Sequence, residues 1–176
     1  MDVLWSPWRY KYVTGERKED GCVFCRIASE LSEDAQNFVL GRARENYLVL
    51  NRFPYTTGHL MVVPYAHTQD LESVSESALC EAVLLARRVE GVLRELYRPG
   101  GFNIGWNLGQ CAGAGVAQHV HLHIVPRWAG DANFMTTIGE TRVMPESLEE
   151  TWRRLSPHFQ GLAEFSGTGG VKASAP

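Results

Sequence analysis

Between Gln118 and Trp128 the sequence reads Q-H-V-H-L-H-I-V-P-R-W, and this stretch constrains the fold more than any other. His119, His121 and His123 alternate with Val120, Leu122 and Ile124, the period of two that puts apolar side chains on one face of a β-strand and polar ones on the other. Such a strand buries one face in a core and turns three imidazoles toward a cavity. Half of the chain's 6 histidines fall within this run. Packing does not account for them, because apolar or β-branched residues fill a strand face at lower desolvation cost. Two chemistries remain, a metal site and a histidine nucleophile. A strand rises about 3.3 Å per residue, which separates the α-carbons of His119 and His123 by about 13 Å. One zinc ion, with bonds to nitrogen of about 2.0–2.1 Å, does not readily hold both from a regular strand. The spacing therefore favours a central working histidine, His121, flanked by His119 and His123 as partners.

Other patterns predict the layers around that strand. Residues 38–42 and 47–51 read as strands joined by a polar turn at Arg44, Glu45 and Asn46, and residues 59–64 read as a third strand ending at Pro64. Residues 76–97 carry apolar positions at Leu79, Val83, Ala86, Val89, Leu93 and Leu96, the three-and-four spacing of an amphipathic helix, which Pro99, Gly100 and Gly101 stop. Leu84, Leu85 and Val92 lie off that stripe and are available for a subunit interface or for a broader core face. Residues 102–108 form a fourth strand, and 145–155 a short helix with Glu146, Glu149 and Glu150 early and Arg153 and Arg154 late, matched to the helix dipole. The predicted class is α+β: about five largely antiparallel strands with one long helix packed across the sheet. Residues 22–165 make the domain. Residues 1–21 form an arm containing Trp5, Trp8, Tyr10 and Tyr12, and residues 166–176, rich in Gly, Ser and Ala, are expected to be a disordered tail.

A chain of 176 residues suits one domain with a real core. Its net charge of −3, from 17 basic and 20 acidic side chains, gives no general attraction to nucleic acid or to an anionic membrane. No run of eighteen apolar residues occurs, and the first residues lack the layout of a secretion signal, so a cytoplasmic location is expected. The 4 cysteines do not make a disulfide scaffold. Cys22-Val23-Phe24-Cys25 is half a zinc site, a redox dithiol or a coincidence, and the redox reading lacks the apolar strand that leads into such motifs. Cys80, on the long helix, reads as a small packed residue. The loop 109–115 is rich in glycine but lacks G-K-[ST], so it is no phosphate loop of the nucleotide-triphosphatase kind. Its small residues still let backbone N–H groups approach an anion.

The run His119-Val120-His121-Leu122-His123-Ile124-Val125 resembles the signature of the histidine triad superfamily of nucleotide hydrolases and transferases. Pro126-Arg127-Trp128 and Gly130-Asp131-Ala132-Asn133-Phe134-Met135 are similar to the branch that contains diadenosine tetraphosphate phosphorylases and related hydrolases. The resemblance implies nucleotidyl transfer through the middle histidine. A neutral imidazole is a competent nucleophile near pH 7. His121 attacks the α-phosphorus of a dinucleoside polyphosphate, and water or inorganic phosphate then takes the nucleotide. His119 and His123 position phosphate oxygens or assist the leaving group. By the same resemblance Asn51 is a ribose contact, His59 an active-site histidine on the neighbouring strand, and Asn107 a nucleotide-contacting amide. Many members have Gly-Gln followed by Ser or Thr before the first histidine, where this chain has Ala114-Gly115-Val116. Backbone donors around Gly115 must then replace side-chain contacts. Arg127, four residues past the last histidine, is a candidate phosphate partner. Some members hold a structural zinc with a Cys-x-x-Cys pair and two histidines, which maps onto Cys22, Cys25, His67 and His119, a donor set that suits a closed tetrahedral site. No organic cofactor is implied. Members usually pair as homodimers or higher oligomers through the long helix and an edge strand. Two other functions stay open on sequence alone: a nucleotide-binding module without turnover, and a metal-dependent hydrolase using the triad as ligands.

Overall fold

The computed structural model describes residues 21–131, 134–138 and 144–162. The expected aromatic arm, apart from Gly21, and the expected tail lie outside the described residues. The elements run α1 (Val23–Ser29), β1 (Val39–Arg42), β2 (Asn46–Leu50), β3 (Leu60–Pro64), α2 (Glu76–Tyr97), β4 (Gly101–Trp106), a 3-10 turn (Gln110–Ala112), β5 (Leu122–Arg127), α3 (Phe134–Thr137), α4 (Leu148–Leu155) and a second 3-10 turn (Ser156–Phe159). The sheet order is β1-β2-β3-β5-β4, with every neighbour antiparallel. The α+β architecture expected from the sequence is the one observed. Among the described residues no helix is long and apolar enough to cross a membrane.

Alternation along the strands sends side chains to two cores. Leu48, Leu50, Leu60, Val62, Leu122 and Ile124 pack against α2 through its Ala82, Leu85, Ala86, Val89 and Leu93. On the opposite face Val39, Tyr47, Val49, Met61 and Val63 pack against Phe24 and Ile27 of α1. Two charged side chains fix these layers. Glu81 on α2 accepts from the backbone N–H groups of Arg44 and Glu45 and from the Asn46 amide, so it holds the β1–β2 turn against the helix. Arg42 at the end of β1 donates to the carbonyls of Ile27, Ala28 and Glu30 and pairs with Asp34 at 2.7 Å. It thereby satisfies the C-terminal carbonyls of α1 that have no partner within the helix.

The long helix has the predicted bounds, with Ser75 capping its start and Arg98 in a left-handed conformation at its end. Its buried face differs from the predicted stripe. Leu85, open between an interface and a broader core face, is fully buried in the core, whereas Val83, expected in the core, is 57% exposed. The row that meets the sheet is Ala78, Ala82, Leu85, Ala86, Val89 and Leu93, and its three alanines let the helix axis approach closely. Cys80 is exposed, not packed. The last helix starts at Leu148, capped by Ser147. Glu146 therefore precedes it, and its carboxylate accepts from Tyr97 Oη, Thr151 Oγ1 and Arg154 Nη1 instead of serving the helix dipole. The histidine strand is also shorter than its alternation suggests, because pairing begins at Leu122. His119 and His121 lie on the approach to it, which bends at His119 and where the Val120 N–H donates to Thr68 O at 2.7 Å.

Candidate active site and metal centre

β5 enters the sheet beside β3 and β4, with His123 opposite both Met61 and Gly105. His119, His121 and His123 are buried, at 0%, 4% and 8% exposure, and so is His59 just before β3, at 1%. The four rings divide into two groups. His121 and His123 are 4.7 Å apart between ring centroids, and His59 is 5.1 Å from His123. His119 instead faces His67, at 5.2 Å edge to face. Phe24 of α1 packs against both His119 and His121.

Two of the triad rings, His119 and His121, have a backbone carbonyl partner that selects the tautomer. His121 Nδ1–H donates to the His119 carbonyl at 2.8 Å, which leaves the lone pair on Nε2. His119 Nε2–H donates to the Pro64 carbonyl at 2.9 Å, which leaves the lone pair on Nδ1. Burial holds His121 below the ordinary imidazole range, against the raising effect of the His119 carbonyl. Burial also lowers His119, with the Pro64 carbonyl opposing and His67 and His121 adding to it. Burial, helped by neighbouring His121, pushes His123 down to about 4. At neutral pH this part of the site is a set of uncharged imidazoles.

His119 Nδ1 points at the cysteines of α1. It lies 3.3 Å from Cys22 Sγ and 3.6 Å from Cys25 Sγ, and Cys25 Sγ lies 3.2 Å from His67 Nδ1. The four donor atoms of Cys22, Cys25, His67 and His119 all lie within 4.8 Å of one another. A tetrahedral zinc ion with bonds of about 2.3 Å to sulfur and 2.0–2.1 Å to nitrogen needs ligand separations of about 3.5 Å. Two cysteine sulfurs and two imidazole nitrogens, with three of their separations at 3.2–3.6 Å and none beyond 4.8 Å, are compatible with such an ion once the widest pairs close in.

On the other side of His123 a cavity of about 1120 Å³ opens over β4 and β5. Asn103, Gly105 and Asn107 of the β4 segment line it together with Tyr55, His123 and Arg127. Asn107 thus lines the same cavity as His123. Gly115 is exposed and does not line this cavity. Asn51 meets His59: its carbonyl oxygen accepts from the Phe53 N–H, and its amide nitrogen lies 3.4 and 3.5 Å from the two His59 ring nitrogens. Arg127 lines the cavity, but its guanidinium is bidentate to Asp131 and donates to Asn103 Oδ1. It braces the floor of the cavity and the turn after β5. Sequence reasoning passed over Tyr55 and Asn103. Asn103 shares a strand face with Asn107, a period-two signal present in N-x-G-x-N. Tyr55, in the loop four residues before His59, gives no periodic signal, yet its ring lies 4.6 Å from His59 and 6.1 Å from His123.

A family model described as the HIT domain matches residues 32–130, which contain the sheet, the long helix and all three triad histidines. The chain belongs to the HIT domain family. An AP-4-A phosphorylase of Mycobacterium tuberculosis is 40% identical over 165 residues, covering 90% of this chain and 85% of the relative. An uncharacterised HIT-like protein of Mycoplasma genitalium is 31% identical over 77% of this chain and 92% of its own length. Among solved structures, a Zn-bound histidine triad family protein from Mycobacterium smegmatis superposes with a TM-score of 0.62 at 32% identity, covering 78% of this chain and 92% of that one. A hypothetical histidine triad nucleotide-binding protein from Sulfolobus tokodaii shares the fold, with a TM-score of 0.62 at 23% identity over 84% of this chain and 98% of that one.

Proposed function

We propose that this HIT protein is a nucleotidyltransferase that cleaves dinucleoside polyphosphates, such as diadenosine tetraphosphate, through a covalent nucleotidyl-histidine on His121. The carrying observation is the tautomer of His121. Its Nδ1–H is committed to the His119 carbonyl, and burial keeps the ring neutral, so Nε2 offers a lone pair to an α-phosphorus. The M. tuberculosis relative named AP-4-A phosphorylase, at 40% identity, supports the substrate class. The cavity beside His123 is large enough for the leaving nucleotide fragment. Asn107 lines it on the leaving side, Asn51 and His59 sit at the entry to β3, and the backbone around Gly115 serves the phosphates from the loop before the triad. Arg127 acts indirectly, since its donors are engaged by Asp131 and Asn103. Inorganic phosphate or water then takes the nucleotide from His121.

A zinc ion held by Cys22, Cys25, His67 and His119 is part of the same proposal, supported by the donor spacing and by the Zn-bound relative from M. smegmatis. When bound, the ion supplies a crosslink between α1, the segment after β3 and the approach to β5. His119 can then serve the reaction only through its backbone carbonyl. A metal-dependent hydrolase would need several triad nitrogens on one ion, whereas of the triad only His119 joins the cysteine cluster. We also propose a homodimer. β4 is an outer strand of the sheet, and Val83, Ile104 and Leu108 present apolar surface on α2, on β4 and just beyond it.

Incubation with diadenosine tetraphosphate, with and without inorganic phosphate, tests the activity. ADP plus ATP means phosphorolysis, AMP plus ATP means asymmetric hydrolysis, and a nucleotidyl adduct on His121 in the acid-quenched protein identifies the intermediate. Absence of turnover in both conditions overturns the proposal.

A further inference from the structure

We propose that His59 is a positioning residue that holds His123 in a single tautomer, with its Nε2–H toward the cavity, and that the backbone amide of Tyr55 dictates this choice. Two hydrogen bonds in sequence fix the choice. The Tyr55 N–H can only donate, and it lies 3.1 Å from His59 Nδ1. His59 Nδ1 therefore carries the lone pair, which excludes both the Nδ1–H tautomer and the imidazolium. The one proton of the His59 ring is then on Nε2, which lies 2.9 Å from His123 Nδ1. His123 Nδ1 in turn accepts, so the proton of His123 is on Nε2, the nitrogen remote from His59 on a ring that lines the cavity. The Asn51 amide nitrogen is nearly equidistant from both His59 nitrogens, at 3.4 and 3.5 Å. Two such distances place it over the ring face, outside the plane in which the two shorter hydrogen bonds lie. Burial reinforces the assignment, because it disfavours a second proton on His123.

The consequence for chemistry rests on the nucleotidyl-transfer reading. His121 and His123 are the same residue type on the same run, yet backbone amides and carbonyls give them opposite working atoms. His121 presents a lone pair at Nε2, and His123 presents an N–H at Nε2. When His121 Nε2 forms its bond to the α-phosphorus, the bond from phosphorus to the leaving oxygen breaks and its electron pair stays on that oxygen. His123 Nε2–H stabilises this oxygen by a hydrogen bond. It keeps its proton, since losing it would create an imidazolate. The leaving polyphosphate needs none, because a terminal phosphate is substantially ionised near its second pKa of about 6.

Two substitutions of equal length separate this from a packing role. His59→Gln places an N–H donor where His59 Nε2 stands, so His123 keeps its Nε2–H tautomer. His59→Glu places an acceptor there, which draws the proton of His123 to Nδ1 or adds a second one. Ring 15N shifts of His123 in the free protein read the tautomer directly. We expect Nε2–H in the wild type and in His59→Gln, and Nδ1–H or a doubly protonated ring in His59→Glu. With diadenosine tetraphosphate, kcat should fall about 10²- to 10³-fold in His59→Glu, the loss typical of one transition-state donor, and by less than about tenfold in His59→Gln. A wild-type His123 with its proton on Nδ1, or the same tautomer in both variants, overturns the inference. If His59→Glu does not fold, His59→Ala replaces it, and a mixture of His123 tautomers is then required. The spectra need no turnover, so a wild type inactive on every nucleotide would sink the nucleotidyl-transfer reading while leaving the tautomer assignment to stand or fall on its own.

Discussion

His121 differs from its two triad neighbours in what its ring nitrogens face, and that difference makes it the residue whose removal should matter most. His119 directs its free nitrogen to cysteine sulfur and His123 directs one nitrogen to His59, whereas the His121 ring, among the described residues, bonds to the His119 carbonyl and to no side chain. His121→Ala or His121→Asn should lower turnover of diadenosine tetraphosphate by about 10³-fold or more while the protein stays folded, because the covalent route is lost without disturbing either hydrogen-bonded pair. Steady-state kinetics beside a thermal melt checks this, and near-normal turnover in a folded variant would refute the mechanism. The depressed histidines also set a pH dependence of stability. His123 titrates at about 4 in the folded chain, below the ordinary 6.5, so between these values the unfolded chain binds more protons than the native one. The contribution is complete above about pH 6.5, declines as pH falls toward 4, and is level below that. Urea melts between pH 7.5 and 4.5 should show the wild type losing on the order of 1–2 kcal/mol more than a folded His123→Gln variant, after allowance for solvent entering the site. Equal losses would mean that His123 is not held neutral by burial. Spacing alone singled out His121, but it could not reveal Tyr55, whose contribution is a backbone N–H that every residue except proline possesses.

At the level of elements, the long helix shows what periodicity can and cannot supply. Its bounds at residues 76–97 follow from Ser75 at the start and Pro99 beyond the end, and the structure has the same bounds. Ala86, Val89 and Leu93 of the predicted stripe lie on the buried face, but its first two turns do not: the small Ala78 and Ala82 are buried there, where a pattern of bulky side chains points to Leu79 and Val83. Leu85→Ala should therefore cost about 2–5 kcal/mol, since it removes a fully buried side chain from the centre of the core. Val83→Ala should cost less than about 1 kcal/mol in the same urea titration, because that side chain is 57% exposed. The reverse order would mean that the helix is rotated from the orientation described. A similar limit explains the histidine strand. Alternation predicts a strand over the whole run, but pairing with β3 begins only at Leu122, opposite Val62, although β3 itself continues to Pro64; before that point the chain bends at His119 and the Val120 N–H bonds to Thr68 O instead.

For the molecule as a whole, the cysteine and histidine cluster joins segments that only the complete fold brings together. Cys22 and His119 are 97 positions apart and their donor atoms 3.3 Å apart. No spacing rule reaches across that distance, which is why family resemblance, and not the residues themselves, carried the ligand set at the sequence level. The sheet supplies the physical reason. β3 delivers the segment leading to His67 and β5 the approach containing His119, while Arg42 fixes α1 and its cysteines against the end of β1. The buried members of the two hydrophobic cores include none of the four donor residues, so a bound metal should add stability to a domain that folds around its own apolar cores, unlike a small zinc finger that is unfolded without its ion. Cys22→Ser removes one thiolate and leaves three donors. Elemental analysis should find the purified wild type with about one zinc per chain and the variant with markedly less. A loss of about 3 kcal/mol would lower Tm by roughly 6–12 °C for a chain of this size. Turnover should fall less than in His121→Ala, because the ion touches the reaction only through the His119 carbonyl that orients His121. A metal-free wild type would remove the zinc centre from the proposal, and a variant as inactive as His121→Ala would place the ion in the chemistry instead of beneath it.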